Sequence, residues 1–436
     1  MFPVPTLRLA VVAALASLVV LFVPAHPPIG MVGVDGLLLV IAAFDVLLAP
    51  DPAAIAIERE VPGTLTLGTQ AELRWRVCNQ TQRRLHVAIS DELAPSLHAS
   101  TRRARLVLPP GATITARATL TPTRRGRFEP SEIVVRVEGP LGLASRQRPR
   151  SLPATIRVLP IFRSRKEAEL RVQRARLLEV GLRSAQGRGG GTEFDALREY
   201  TVDDEVRRMD WAATARADRA IVRTYRAERN QQVLVLLDNG RIMAGQVDGV
   251  PRVEWAMDAA MVLTAVATRL GDRCGLVVFD REVRAVVPPS HGAGQLTRIT
   301  EAMYDLEPQL VESDYRGAFA ATLARYRRRA LLVLLTELSE EAVTETLVPA
   351  LPLLLARHLV VVGSVVDPDV ARWSDDMPTE PSGAHRTAAA LGALDRRARV
   401  AATLRGLGAT VVDAPPAALA GRLADAYLQV KATGRL

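Results

Sequence analysis

The C-terminal half of the chain contains carboxylates that directly follow apolar runs. Asp238, Asp280, Glu337 and Asp367 each stand at the end of one such run. If these runs are parallel strands, their carboxyl ends lie along one edge of a sheet. Carboxylate oxygens are suitable ligands for hard cations such as Mg²⁺. The sequence therefore offers a candidate cation site around Asp238 and Glu337.

The residues that follow Asp238 weaken this metal hypothesis. Gly240 has no side chain, and the side chain of Ile242 has no ligand oxygen. Arg241 would also bring a positive charge close to any cation. If there is no metal site, Asp238 and Glu337 have a structural role, in which they accept hydrogen bonds from loop amides or pair with Arg241. We expect Mg²⁺ to bind weakly or not at all, and we expect no other cofactor.

The sequence lacks the usual catalytic motifs. It has no Gly-x-x-x-x-Gly-Lys-Ser/Thr loop, no His-Glu-x-x-His pair and no Gly-x-Ser-x-Gly elbow. The glycines of 187–191 follow no apolar strand, which favours a turn over a dinucleotide site. His291 is interpreted as a loop residue. These absences favour a protein that is not an enzyme.

A dense group of charged, aromatic and glycine residues occupies the range 187–238. It is too charged for a core and has too many aromatic anchors for a plain linker. In one interpretation, Tyr200 and Trp211 pack the segment against a sheet, while Arg207 and Asp210, three residues apart, form a pair. A rigid charged segment with aromatic anchors also suits partner recognition. The structural role is the preferred one, and the two roles are compatible.

This segment resembles the bacterial family catalogued as domain of unknown function 58. The family pattern is a Gly-rich turn, Glu-Phe, Leu-Arg-x-Tyr, x-Gly-Asp, Arg-x-Ile-Asp-Trp and Ala-Arg. Asp203 and Met209 depart from it, standing in place of Gly and Ile. The matching residues are Glu193, Phe194, Leu197, Arg198, Glu199, Tyr200, Asp204, Arg207, Asp210, Trp211, Ala215 and Arg216.

A second likeness to the same family lies further towards the N-terminus. Arg125-Gly126-Arg127-Phe128 is similar to the family's Arg-Gly-x-Tyr, and the stretch 139–143 is similar to Asp-Pro-Phe-Gly-Leu. In the second element Gly139 replaces Asp and Leu141 replaces Phe.

The resemblance implies a membrane-anchored protein with a von Willebrand factor A-like domain and a MoxR-type AAA+ ATPase as partner. Such a domain holds Mg²⁺ through Asp-x-Ser-x-Ser, a loop Thr and a later Asp. Here Asp238 matches, Thr336-Glu337 stands where Ser-Asp is expected, and the loop near Ser313 has no clear Thr. The residues expected at the interaction surface are Glu193, Phe194, Arg198, Tyr200, Asp204, Arg207, Asp210, Trp211 and Arg216.

Two apolar segments open the chain, Leu7 to Val23 and Ile29 to Ala49. Each approaches the roughly 20 residues that cross a bilayer. The turn between them lacks Lys and Arg, whereas arginines flank the pair, so the positive-inside rule places both ends in the cytoplasm. We expect a transmembrane hairpin in the inner membrane. Asp35 and Asp45 would lie near its interfaces. We expect these two side chains to extend towards the interface rather than to line a path for ions.

Residue patterns divide the remaining chain. Short alternating runs with turn residues predict an antiparallel β-sandwich over 51–160. The signature segment follows over 161–230. Continuous apolar runs between helical stretches predict a doubly wound α/β domain over 231–436, with von Willebrand factor A-like character. Residues 1–50 are assigned to the two membrane helices, which makes the chain multidomain.

Composition limits the function classes. The chain has 436 residues and a net charge of +9, with aromatic residues at 4%. The excess charge is interpreted first as an arginine-rich surface, and no nucleic-acid module accompanies it. Cys78 and Cys274 stand far apart, which argues against a disulfide framework. We expect a non-enzymatic adaptor that binds the membrane and the ATPase. The alternatives are a metal-dependent enzyme and a purely structural envelope protein.

Overall fold

The computed structural model describes residues 2–20, 27–185, 193–201, 204, 206, 209–226, 230–377 and 380–433. They form two compact units, with the division between Leu159 and Pro160. Arg207 of the signature and the glycines of 187–191 lie outside the described residues.

The first unit begins with a strand and two apolar helices: β1 (Phe2–Pro5), α1 (Leu7–Val20) and α2 (Pro27–Leu48). Among the described residues, one helical stretch is long and apolar enough to cross a membrane, Val32–Ala54, a test of length and composition that core helices and signal sequences also pass. Leu7–Leu18 is a shorter apolar stretch. Strand β1 was not expected in residues 1–50. It is an edge strand with two prolines, which a sheet tolerates only at an edge.

The rest of the first unit is built from β-sheets. Strand β1 belongs to a five-stranded sheet in the order β1-β10-β9-β5-β6, and two three-stranded sheets have the orders β2-β4-β7 and β3-β11-β8. One pair, β3 with β11, is parallel, so the expected purely antiparallel arrangement is wrong there. The strands are β2 (Ile55–Glu60), β3 (Thr64–Thr66), β4 (Ala71–Asn79), β5 (Leu85–Asp91), β6 (Arg103–Leu108), β7 (Thr113–Leu120), β8 (Gly126–Phe128), β9 (Glu132–Glu138), β10 (Ala144–Ser151) and β11 (Ile156–Leu159).

Alternation along the strands builds the core of this unit. In β4 the side chains of Leu73, Trp75 and Val77 are buried and their neighbours point outward. The indole N–H of Trp75 donates to Asp91 at 2.6 Å, which satisfies the polar atom that this large side chain carries into the core.

The second unit contains a six-stranded sheet with the order β18-β17-β14-β19-β20-β21. Strand β18 is antiparallel to β17, and the other neighbours are parallel. Its strands are β14 (Gln232–Asp238), β17 (Arg273–Phe279), β18 (Val283–Ser290), β19 (Leu331–Leu335), β20 (Leu359–Val365) and β21 (Thr410–Ala414). The chain changes winding direction between β14 and β19, and such a switch point is where doubly wound sheets form their crevice.

Helices cover both faces of this sheet. They are α3 (Arg165–Ala185), α5 (Arg252–Arg269), α6 (Gly294–Met303), α7 (Tyr315–Arg325), α8 (Glu340–Ala342), α9 (Val348–Leu355), α10 (Pro368–Asp375), α11 (Pro381–Gly406) and α12 (Pro416–Ala432). Val233, Val235 and Leu237 of β14 face one apolar layer, and Leu234 and Leu236 face the other. A strand that is buried on both faces explains the continuous apolar run.

A π-helical stretch, Val343–Leu347, lies between α8 and α9.

The signature segment is more regular than the charged loop that the sequence suggested. It contains β12 (Glu193–Glu199), α4 (Trp211–Ala217) and β13 (Ile221–Arg226). Strands β12 and β13 pair in antiparallel orientation, with an irregularity between Phe194 and Ala196. A small hairpin (β15, Gln246–Val247, and β16, Val250–Pro251) follows β14.

Candidate functional site

Asp238 is fully buried at the carboxyl end of β14. One carboxylate oxygen, Oδ1, accepts hydrogen bonds from the Gly240 amide at 2.9 Å and from Ser313 Oγ at 2.5 Å. The other, Oδ2, accepts from the hydroxyls of Tyr315 at 2.8 Å and Thr336 at 2.6 Å. An ionised carboxylate has about four acceptor directions, so these donors occupy all of them.

Gly240 leaves room for one of these donors. A Cβ atom at this position would collide with Ser313 Oγ and lie 3.0 Å from the carbonyl oxygen of Val311. The serine that the von Willebrand-type pattern has at position 240 therefore has no space here. A hydroxyl from Ser313, in a different loop, points at Asp238 instead.

Burial raises the pKa of Asp238, although bonds from Ser313, Thr336, Gly240 and Tyr315 act in the opposite direction. All four are neutral donors. The described residues contain no group of three or more His, Cys, Asp or Glu side chains placed to hold a metal ion. The arrangement suits a polar junction that ties loops to the sheet.

Arg241 does not take part in this junction. Its guanidinium pairs with Glu312 at 2.5 Å, and both side chains are more than half exposed. The expected pairing of Arg241 with Asp238 or Glu337 is therefore wrong, whereas the expected loop amide on Asp238 is present as the Gly240 N–H.

Glu337 belongs to a separate network beyond the end of β19. Its carboxylate pairs with Arg397 of α11 and lies 3.2 Å from Nε of Arg252. Arg397 also donates to both oxygens of Asp413, each at 2.7 Å, and to Ser364 Oγ at 2.6 Å. Burial alone would lower the pKa of Arg397, but its bond to Asp413 and the charge of Glu337 raise it above the ordinary value.

A cavity of about 470 Å³ opens beside this network. Glu337, Arg252 and Arg397 line it, together with Arg241 and Asp367 from neighbouring strand ends. The lining residues include both positive and negative side chains, and Arg252 and Arg397 are both paired with Glu337. The cavity therefore has mixed charge and lies at the edge where a doubly wound sheet binds its ligands.

The signature segment contains a second polar junction around Asp204, which is nearly buried. Its carboxylate accepts from Arg198 at 2.5 Å and from the amide and hydroxyl of Thr201 at 2.9 and 2.8 Å. Burial by itself would raise the pKa of Asp204, but the bonds from Thr201 and Arg198 lower it below the ordinary value. Arg198 and Asp204 are therefore a fixed pair.

Asp210 caps the helix that carries the signature tryptophan. It accepts from the Ala213 amide at 3.0 Å, as an N-cap residue does, and from Arg223 Nε at 2.8 Å. The bond from Arg223 is the main reason that the pKa of Asp210 is lowered. Trp211, the first residue of α4, is 66% exposed. The packing role expected for Trp211 is therefore wrong.

The remaining signature residues lie around these two pairs. Glu193 and Phe194 belong to β12, where they stand opposite Arg226 and Tyr225. The amide of Tyr200 donates to Ala220 at 2.8 Å. Arg216 is exposed and donates to the Ala212 carbonyl within α4. The expected partner of Asp210, Arg207, lies outside the described residues.

Several residues of these junctions were missed at the level of sequence. Asp314 is the N-cap of α7, Ser313 precedes it, and Tyr315 is the first residue of the helix. The resemblance pointed to this loop but to a Thr, which it lacks. No sequence signal marks Arg397, because Arg396 and Arg399 stand beside it in the same helix and nothing in the sequence distinguishes the three. Arg223 lies in a strand, 13 residues from Asp210.

Comparison with known proteins gives both structural and sequence relatives. The CARDB domain of the PF1109 protein from Pyrococcus furiosus aligns with a TM-score of 0.18 and 15% identity, over 26% of this chain and 94% of that chain. A fragment of alpha-2-macroglobulin from Escherichia coli aligns with a TM-score of 0.19 and 17% identity, over 24% of this chain and 16% of that chain.

Two mycobacterial proteins are similar in sequence. "Uncharacterized protein Rv1480" of Mycobacterium tuberculosis and "Uncharacterized protein Mb1516" of Mycobacterium bovis are each 28% identical over 241 residues, which is 51% of this chain and 74% of the relative. Residues 196–380, which include both Asp210 and Asp238, match the family described as "Protein of unknown function DUF58".

Proposed function

We propose that this protein is a membrane-anchored, non-enzymatic adaptor whose von Willebrand factor A-like second unit binds a MoxR-type AAA+ ATPase in a chaperone-like or envelope-assembly system. The order of the six-stranded sheet and the antiparallel β18 support the A-like assignment. The ATPase comes from the family resemblance alone.

The observation that carries the proposal is the exposure of Trp211. Trp211 is 66% exposed and follows Asp210, which is held in place by the Ala213 amide and by Arg223. Tryptophan and arginine are over-represented among the residues that dominate binding energy at interfaces. Leu197 lies opposite Arg223 on the same face of the strand pair and is 45% exposed.

The test is capture of the MoxR-type ATPase of the same organism by the full chain in detergent. Trp211→Ala should weaken capture at least tenfold and leave the melting temperature unchanged. Leu391→Ala removes a comparably exposed apolar side chain from α11 and should capture the ATPase like the parent. Equal capture by the parent and Trp211→Ala would refute Trp211 as the binding residue, and no capture by the parent would refute the ATPase partner.

The proposal includes a topology in which α1 and α2 form a hairpin in the inner membrane, while the β-sheets of the first unit and the whole second unit are cytoplasmic. The apolar, largely exposed α2 supports it. A phosphatase reporter fused at Leu436 should be inactive, and a fluorescent cytoplasmic reporter should be active. Phosphatase activity would place the second unit outside the cytoplasm.

The alternative of a metal-dependent enzyme makes a different prediction about Asp238. Since its four acceptor directions are occupied, Mg²⁺ should not stabilise the protein. A ligand that binds the folded state raises the melting temperature with the logarithm of its excess. A rise with Mg²⁺ in the parent that is absent in Asp238→Ala would contradict the expectation that Asp238 binds no cation and would leave the metal-dependent alternative open.

A further inference from the structure

Asp45 of α2 is fully buried and fastens a turn of the β-sheet region to the helix. Its Oδ1 accepts from the amide of Leu141 at 2.7 Å, and its Oδ2 accepts from Leu143 at 2.8 Å and Ala144 at 3.0 Å. A Cβ atom at Gly139 would collide with this carboxylate. Asp45 therefore neither snorkels nor lines an ion path. It holds the turn of residues 139–144 at the level of the last turn of α2.

Every backbone N–H in this turn has a partner within the protein. Besides the three amides on Asp45, the Gly139 amide donates to Ala144 at 2.9 Å, the Gly142 amide donates to Gly139 at 3.0 Å, and Pro140 has no N–H. A solvated surface turn does not need this. Irregular backbone at membrane depth does, because lipid offers no hydrogen-bond partners.

The tip of the turn and the adjoining end of α2 both expose apolar side chains. Leu141 is 54% exposed, and Phe44 and Leu47, which flank Asp45 within one helical turn, are 59% and 73% exposed. The amide of Leu141 is bonded to Asp45 itself, so its side chain lies at the same depth.

One arginine lies against this turn, and two more lie in the strand that follows it. Arg8, in the first turn of α1, is exposed, lies against Gly142, and forms no ion pair with any described residue. Arg146 of β10 donates to the carbonyl of Ala49 at 2.8 Å, just beyond the end of α2. Arg148, in the same strand, is about half exposed, with Asp51 3.9 Å away. Arginines at this level match the phosphates of anionic lipids.

We propose that the turn of residues 139–144 is a membrane-contacting element of the β-sheet unit. In this arrangement Leu141 enters the boundary between headgroups and acyl chains, and Arg8 and Arg148 contact lipid phosphates. Asp45 sets the depth of the turn. The inference rests on the proposed anchoring by α2 and adds a second contact that no apolar helix supplies.

Depth-dependent quenching in vesicles tests this contact. The full chain, with Cys78→Ala and Cys274→Ala, is labelled with one fluorophore at Leu141→Cys, at Phe44→Cys or at Val107→Cys. The last site lies on β6, at the opposite edge of the sheet from β1. The vesicles contain phosphatidylcholine, phosphatidylglycerol and a lipid with a nitroxide near the headgroup.

We expect the dye at positions 141 and 44 to be quenched several-fold more than the dye at 107. Quenching at 44 with none at 141 would overturn the turn contact and leave the anchor intact. Absence of quenching at 44 would overturn the anchor and with it the inference. Equal quenching at 141 and 107 would also overturn it, because the contact would not be specific to the turn.

The arginines are tested with the dye at position 141. Removing phosphatidylglycerol should reduce quenching in the parent, and Arg8→Gln with Arg148→Gln should abolish this dependence on anionic lipid. Arg105→Gln, which alters an exposed arginine on β6, should retain it. An unchanged dependence in the Arg8 and Arg148 variant would refute the phosphate contacts.

Discussion

The hydroxyl of Ser313 occupies the space that any side chain at position 240 would need. Ser313 Oγ lies 2.5 Å from Asp238 Oδ1, and the absence of a side chain at Gly240 makes this approach possible. The two residues are therefore a matched pair. One supplies the donor, and the other supplies the space.

This pairing predicts that Gly240→Ser lowers the melting temperature, because the new Cβ displaces Ser313 and leaves a buried carboxylate oxygen with one donor fewer. Adding Ser313→Gly should restore part of the loss by clearing the space. Gly294→Ser, where a Cβ meets nothing within 4 Å, is the matched control in the same unit. A Gly240→Ser protein that melts with the parent would contradict the pairing.

Burial raises the pKa of Asp238 above its ordinary value of 3.8, and this gives a pH prediction. In the window between 3.8 and the raised value, the folded state binds more protons than the unfolded state, so this group's contribution to stability falls as pH rises. Asp238→Asn removes the titration. Urea unfolding should therefore show the parent gaining stability relative to Asp238→Asn as pH is lowered from neutral. A difference that is independent of pH would refute this.

Arg397 should matter far more than its neighbour in sequence. Arg397→Gln leaves Glu337 and Asp413 without their main cation in a nearly buried network, and breaking such a pair costs on the order of 3–5 kcal/mol. Arg396 is half exposed and lies 3.9 Å from Glu340, so Arg396→Gln should cost at most about 1 kcal/mol. Denaturant unfolding measures both. Similar losses in the two variants would show that the network contributes little.

Asp210 and Trp211, adjacent in sequence, should behave in opposite ways. Asp210→Ala removes a helix cap and the partner of Arg223, so it should lower the melting temperature of the full chain. Trp211→Ala removes an exposed side chain and should leave melting unchanged. Glu199→Ala, whose carboxylate is exposed and 3.6 Å from Arg219, is the control for loss of a surface charge. An Asp210→Ala protein with the parent's melting curve would show that the cap is dispensable.

The sequence predicted a largely parallel sheet between helices because the central strands are continuous apolar runs, and it placed Asp238 correctly at a strand end. The family resemblance pointed to Thr336 and to the loop near Ser313, but it looked in that loop for a Thr. It therefore did not reveal the hydroxyls of Ser313 and Tyr315, which lie 75 and 77 residues from Asp238. Trp211 was misjudged for a local reason. It is the first residue of a seven-residue helix, and the cap at Asp210 fixes that helix without burying the indole.

Strand β1 limits how the N-terminal segment can be threaded through a bilayer. Residues Phe2–Pro5 pair with Ala144–Gln147 of β10, so both partners must be on the same side of any membrane. The segment between Thr6 and Asp51 must then cross an even number of times. If α2 crosses the bilayer, the stretch before it must cross as well. The even number of crossings follows from the pairing of β1 with β10 alone and does not depend on the arginines that flank the helices.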